Sequence, residues 1–210
     1  MMKILVGYDG SESAEAALKN LRRAGLPSEA EALVVSVAEI SMMPLPSSYE
    51  VVGQVLTSRR VTSAIALAES QIAVTLKGAK ELAAKASDLV QSYFPDWAVR
   101  AETLGGLPSS ELVRKADEWE ADLVVVGSQG RSAFGRFVLG SVSKTVVTDS
   151  DHSVRVTRGA VEKNVGKPPR VVIGIDGSSE AENAVRALGR RIWLTGLRCA
   201  SLPLTTAPLP

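Results

Sequence analysis

Ala121-Asp122-Leu123-Val124-Val125-Val126-Gly127-Ser128-Gln129-Gly130-Arg131-Ser132-Ala133-Phe134-Gly135-Arg136-Phe137-Val138-Leu139-Gly140-Ser141 is the stretch that decides the fold. Its first six residues are an apolar, β-branched run of the kind that forms a buried parallel strand. After the glycines, Val142-Ser143-Lys144-Thr145-Val146-Val147 fits the first turns of a helix. A glycine-rich connection between a buried strand and a helix start suits an anion. Glycine lets the backbone come close to a phosphate, and the unpaired N–H groups of the first helical turn point at it. A Walker A loop needs G-x4-G-K-[ST], but Ser141-Val142 stands after Gly140 where the lysine should be. A dinucleotide G-x-G-x-x-G fingerprint is absent from the first strand–helix turn, which carries Gly7-Tyr8-Asp9-Gly10-Ser11 instead.

Working outward, apolar segments and helical patterns alternate. Strands are expected at 3–8, 32–38, 97–103, 121–126 and 153–157. Between them lie helices with inner faces at Ala14, Ala17, Leu18 and Leu21; at Leu67, Ile72, Leu76, Leu82, Leu89 and Val90; and at Leu112, Val113, Ala116 and Trp119. Ser11 or Ser13 is the expected cap of the first helix and Ser109 or Ser110 that of the third. The segment 41–48, with two prolines and three serines, is expected to be a loop. The alternation implies an α/β fold: a Rossmann-like, open, five-stranded parallel sheet with helices on both faces. Ligands of such sheets sit at the carboxyl ends of the strands, where the winding reverses. Asp9 and Gly127 both follow strand ends.

Val171 to Leu188 repeats Ile4 to Leu21 at the offset that carries Asp9 to Asp176, with an identical Asp-Gly-Ser turn. A first domain at 1–160, a linker at 161–170 and a truncated second copy at 171–210 are therefore expected. The second copy is read as one strand and one helix followed by an irregular tail.

The 210 residues, 45% apolar and 22% charged, suffice for a sizeable core. Lysine plus arginine (24) against aspartate plus glutamate (23) leaves a net charge of +1, which argues against nucleic acid or an acidic membrane as main partner. The single cysteine, Cys199, excludes an internal disulfide, and no Cys/His cluster suggests a metal site. No leader and no membrane span are recognisable, so a cytoplasmic location is the expectation.

Taken whole, G-x2-G-x9-G-S after an apolar strand resembles the nucleotide loop of the universal stress protein family, ATP-binding subgroup. Ile4-Leu5-Val6-Gly7-Tyr8-Asp9-Gly10-Ser11 is similar to that family's opening segment. The resemblance covers roughly residues 3 to 158, and the repeat points to the tandem type. It implies bound ATP, with Asp9 on the ribose and the backbone of Val37 reading adenine. Gly127, Gly130, Gly140, Ser141 and Ser143 would then form the phosphate cradle. Gln129 stands where many members have histidine. Arg131 is the nearest charge to offset the phosphates, a solvated surface arginine being the alternative. A divalent ion such as Mg or Mn would be held by phosphates and water, since no carboxylate lies in the loop.

No residue stands out as a water-positioning base or nucleophile, so no catalytic residue is assigned. The functional expectation is regulatory: nucleotide occupancy orders the 127–141 loop and favours one conformation or partner surface. Slow ATP hydrolysis, an adenylyl-transferring enzyme and a non-nucleotide interaction module are the alternatives. S-G-G-x-D-S and H-x-G-H, the marks of the transferase, are absent. The family pairs subunits along its last strand, so a homodimer through Ser153–Thr157 is expected; no protein partner beyond it can be named. Asp176 lacks a loop to complete a second site, and His152 is expected to be structural.

Overall fold

The computed structural model describes residues 1–40, 59–130, 139–158, 169–193 and 197–203, with the backbone alone for 59–65. The expected loop at 41–48 lies outside these residues. In chain order the elements are β1 (Met2–Gly7), α1 (Glu12–Leu21), β2 (Ala30–Glu39), α2 (Arg59–Tyr93), β3 (Ala98–Gly106), α3 (Pro108–Trp119), β4 (Leu123–Gly127), α4 (Ser141–Asp149) and β5 (Ser153–Thr157). They are followed by β6 (Arg170–Ile175), α5 (Ser179–Gly189) and β7 (Arg198–Pro203).

β1 to β5 form one sheet in the order β3-β2-β1-β4-β5, every pair parallel. This is the expected Rossmann-like α/β architecture. Successive strand residues face opposite sides, and each side is covered separately. Ile4, Val6, Ala32, Val34, Leu123 and Val125 pack on one face, against Ala14, Ala17, Leu18 and Leu21 of α1 and Ala86 and Val90 of α2. Leu5, Leu33, Val35, Val124 and Val126 pack on the other, against Leu112 and Ala116 of α3 and Val146 of α4. The winding leaves β1 towards β2 and leaves β4 towards β5. The gap between the carboxyl ends of β1 and β4 is thus the switch point.

Two local expectations are corrected. The apolar stripe of α2 does not face the core along its length: Leu67 is 69% and Ile72 38% exposed, whereas Val90 is fully buried. A helix of 35 residues extends roughly 52 Å, which outruns the sheet it covers. The cap of α3 is neither Ser109 nor Ser110 but Leu107, with Pro108 just inside the start and no side-chain cap bond. Proline suits the first helical position, where its missing N–H costs nothing, and this overrides the serine signal.

The last segment also departs from expectation. Residues 198–203 are not irregular; they form β7, parallel to β6. Arg170 lies opposite Arg198 as Lys3 lies opposite Glu31, so the repeat offset carries one register onto the other. Residues 170–203 thus contribute a β-α-β unit. Its sequence concealed this because Arg198-Cys199-Ala200-Ser201 contains no β-branched or aromatic residue.

Candidate functional site

The Asp-Gly-Ser turn that follows β1 is built locally. Gly10 takes φ +79°, a conformation favouring glycine, and the Ser11 amide donates to Asp9 Oδ1 at 2.9 Å. Ser11 is the N-cap of α1, its hydroxyl accepting from the Ala14 amide at 3.2 Å. Ser13, the other candidate cap, does something else. Its hydroxyl donates to the Gln129 carbonyl and accepts from the Gln129 amide at 3.2 Å. Ser11 Oγ donates to the same carbonyl at 3.2 Å. The turn after β1 and the connection after β4 are thus one hydrogen-bonded body.

Close approach explains Gly127. A Cβ there would lie 2.6 Å from Ser13 Oγ and 2.7 Å from the Ala14 nitrogen, distances no side chain tolerates against backbone. Gly130 and Gly140 are different. A Cβ at Gly130 would meet only Asp9 Oδ2, at 3.2 Å, and one at Gly140 would come no nearer than 3.4 Å, to Gln129 Cα. Gly140 also has φ −63°, open to any residue. Among the described residues, no backbone lies nearer than 3.4 Å to a Cβ at either position, and both adjoin backbone N–H groups.

Gly140 is the N-cap of α4 and has no side chain to satisfy the first turn. The N–H groups of Ser141, Val142 and Ser143 lack intrahelical acceptors by helix geometry and carry the positive end of the helix dipole. The Gly140 amide itself donates to the Ser128 carbonyl at 2.8 Å. The buried Ser143 hydroxyl is spent inside the protein: Ser128 O and Gly140 O both lie 3.0 Å from it. What Ser143 can offer a ligand is its amide. Arg131 lies outside the described residues.

Asp9, Val37, Gly127, Gly130, Gly140, Ser141 and Ser143 all line one cavity of about 1010 Å³ at the switch point. Seven of the eight expected site residues thus converge from β1, β2, β4 and α4. Val37 contributes from β2, half-buried, with the rest of its side chain in the core below. The far wall was not foreseen: Thr75, Gly78, Leu82 and Lys85 of α2, and Pro108 and Ser109 at the uncapped start of α3. Gly10 is what lets α2 close in, since a Cβ there would lie 2.8 Å from Leu82 Cδ2. Lys85 Nζ stands 3.7 Å from Glu15 at the cavity's edge. Of these residues the sequence singles out only Leu82, in a helical stripe, and Ser109, as a candidate cap.

Tyr8 lies under the same turn, 3% exposed, and its hydroxyl has no hydrogen-bond partner among the described residues. Burial first, then the Glu15 and Asp9 carboxylates, push its phenol above the usual value of 10.0. It is a neutral group beneath the cavity floor. Among the described residues no group of three or more His, Cys, Asp or Glu side chains could hold a metal ion. His152 pairs with Asp117 at 3.0 Å, away from the cavity lining.

This fold and crevice define an open, doubly wound α/β protein with its ligand cleft at the switch point. The profile of the universal stress protein family matches residues 1–158, and the chain belongs to that family. It is 26% identical over 161 residues to a universal stress protein of Methanocaldococcus jannaschii, covering 74% of this chain and 81% of that one. A Staphylococcus aureus protein carrying the same family name is 32% identical over 156 residues, with 74% and 82% covered. Among solved structures, a universal stress protein from Archaeoglobus fulgidus superposes with a TM-score of 0.64 at 18% identity, covering 98% of this chain and 67% of its own. One from Lactobacillus plantarum gives 0.56 at 21%, covering 75% and 97%. These likenesses concern the fold.

Proposed function

We propose that this protein is an ATP-binding regulator of the stress response, in which nucleotide occupancy biases one conformation or partner surface. The observation that carries this reading is the pair Gly130 and Gly140. Among the described residues no backbone comes nearer than 3.4 Å to a Cβ at either, and both are set beside uncapped N–H groups and the Asp9 carboxylate at the mouth of a cavity large enough for a nucleotide. The triphosphate would lie on the first turn of α4 and the amide of Gly130, with the ribose against Asp9 and the adenine towards Val37. Magnesium or manganese would enter on the phosphates. A ligand held this way shifts a conformational equilibrium only by its differential affinity for the two states.

The partner proposed is a second copy. β5 is the outer strand beyond β4, and the free edge of Ser153–Thr157 would pair with the same edge of another chain. No described helix is long and apolar enough to cross a membrane. A cytoplasmic site of action is part of the proposal.

The test is an ATP titration of Gly140→Val beside the unaltered chain. Because a Cβ at this position meets no described atom nearer than 3.4 Å, the variant is expected to fold, which its thermal melt checks. Its branched side chain covers the amides that phosphate would approach. Affinity is expected to fall at least tenfold, about 1.4 kcal/mol or more. Equal affinity in the two proteins removes the cradle from the site.

A further inference from the structure

The cleft at the switch point is not the only place where charge lacks a counterpart. At the opposite end of α1, the turn that leaves the helix is covered by the segment that leaves α5. Ile192 N donates to Gly25 O at 2.9 Å, and Arg191 Nη1 donates to Ala24 O at 2.9 Å. A Cβ on Gly25 would lie 3.0 Å from Arg191 Cβ and 3.1 Å from Trp193, so the two segments are in close contact. Arg155 reaches the same seam from β5. Val154 and Val156 pack on the α3–α4 face of the sheet, which sends Arg155 to the α1 face. There it donates to Asn20 Oδ1.

These two arginines are the anomaly. A guanidinium offers five N–H donors, and one bond to the protein is seen for each. Arg155 Nε is buried without a hydrogen-bond partner among the described residues. No carboxylate forms an ion pair with either arginine among the described residues, whereas Lys3, Lys85, Arg100, Arg114, Lys115 and Arg186 each have one. Burial pushes both guanidinium groups below their usual value, and Arg191 pushes Arg155 further. The flanking segments offer no relief: Ala16 to Ser28 contains Lys19, Arg22 and Arg23, Asn183 to Pro203 contains Arg186, Arg190, Arg191 and Arg198, and neither contains an acid. Two partly desolvated like charges with donors unused are unfavourable unless an anion completes them.

We propose that Arg155 and Arg191 form a site for a small oxyanion of the phosphate class, at the seam between the five-stranded unit and the β6-α5-β7 repeat. Planar guanidinium forks match tetrahedral oxyanions in two-point hydrogen bonds, and the surrounding cations draw the anion in. Occupancy ties the second unit to the first, because one fork comes from each. The site stands apart from the nucleotide cleft and holds whether or not that cleft takes ATP.

The test is a titration of the full chain with inorganic phosphate at constant ionic strength, followed by phosphorus NMR line broadening. The start of α4 competes for the same probe, so the titration is made in the Gly140→Val background. Phosphate is expected to bind there, and Arg191→Gln is expected to weaken it about tenfold, the loss of one charge-assisted pair. Arg191→Lys keeps the charge but not the fork and is expected to fall between the two. Thermal melts of each variant verify the fold; Arg191 rather than Arg155 is altered because Arg155 belongs to the sheet. Absence of phosphate binding in the Gly140→Val chain, or unchanged affinity after Arg191→Gln, overturns the proposal.

Discussion

The two Asp-Gly-Ser turns of this chain are the same object in two settings. Gly10 and Gly177 have φ of +79° and +85°, and both serine amides lie 2.9 Å from the preceding aspartate's Oδ1. Ser11 and Ser178 cap their helices alike, accepting from Ala14 at 3.2 Å and from Ala181 at 3.1 Å. Beyond the turn they diverge. Around the first, α2 closes over Gly10 and the β4 connection hydrogen bonds to Ser11 and Ser13. Around the second, nothing lies within 4 Å of where a Gly177 Cβ would sit, and Ser178 Oγ turns back to Asp176 at 2.6 Å. Four residues suffice to make the turn and cap the helix. A site needs the distant strand and helix that arrive beside it.

The largest expected effect comes from the residue that joins the first turn to that distant strand. Gly127→Ala puts a methyl group within 2.6–2.8 Å of Ser13 and the Ala14 nitrogen, mostly backbone that cannot move aside. Overpacking of this kind costs roughly 3 kcal/mol, read as a lower denaturation midpoint in urea, and nucleotide affinity falls with it. A stable Gly127→Ala protein with unaltered nucleotide affinity would mean that the two turns are not mechanically joined.

Next come the aspartates. Asp9→Asn retains an acceptor for the Ser11 amide and so leaves the turn intact, but it removes the charge that faces Gly130. A roughly tenfold loss of ATP affinity is expected, the size of a charge-assisted hydrogen bond reduced to a neutral one. Asp176→Asn should leave that affinity where it was. Equal losses in the two variants would show that the turns act through stability alone.

The same contrast explains what was legible in the sequence. Asp9, Gly130 and Gly140 could be placed beside strand ends and a helix start because their signal is local: turn chemistry and helix-start chemistry next to an apolar run. The sheet was legible because Leu123–Val126 and Ile4–Val6 are apolar without interruption, as strands covered on both faces are. The Ser13 clamp was not, since its partner Gln129 lies more than a hundred residues away and both look like surface polar residues. β7 was missed for a related reason. Arg198-Cys199-Ala200-Ser201 carries weak strand propensity and becomes a strand because α5 returns it to the side of β6, in a register matching that of β1 and β2. The exposed half of α2 was misjudged because an alanine-rich stripe repeats at the helical period whether or not a sheet lies beneath it.

The glycines of the two turns give a smaller and cleaner difference. Replacing either by alanine places a side chain in the left-handed region, at a cost of roughly 1 kcal/mol. At Gly177 that is the whole effect, since space is open. At Gly10 the methyl group also displaces the Leu82 Cδ2 methyl, 2.8 Å away, and shifts the wall of the cleft. Gly10→Ala should therefore weaken ATP binding as well as lower the melting temperature, while Gly177→Ala lowers only the latter or neither. Equal responses would place α2 outside the functional cleft.

The smallest effect is a pH dependence confined to the second turn. The Ser178 hydroxyl first, and its amide second, hold the Asp176 carboxyl below its ordinary 3.8. A carboxyl depressed in the folded state steadies its surroundings at pH above that ordinary value. The contribution is lost as the pH falls through the lower, folded-state value. Because Asp176 is fully solvent-exposed, the loss is local and registers as faster amide exchange at Ser178 and Ala181 below pH about 4, not as a shift of global unfolding. Asp176→Asn, which keeps the acceptor but cannot titrate, should abolish the acid-induced acceleration at those two amides. An acceleration that persists in Asp176→Asn would assign it to another carboxylate of α5, Glu180 or Glu182, and the isolated turn would then owe nothing to its own aspartate's charge.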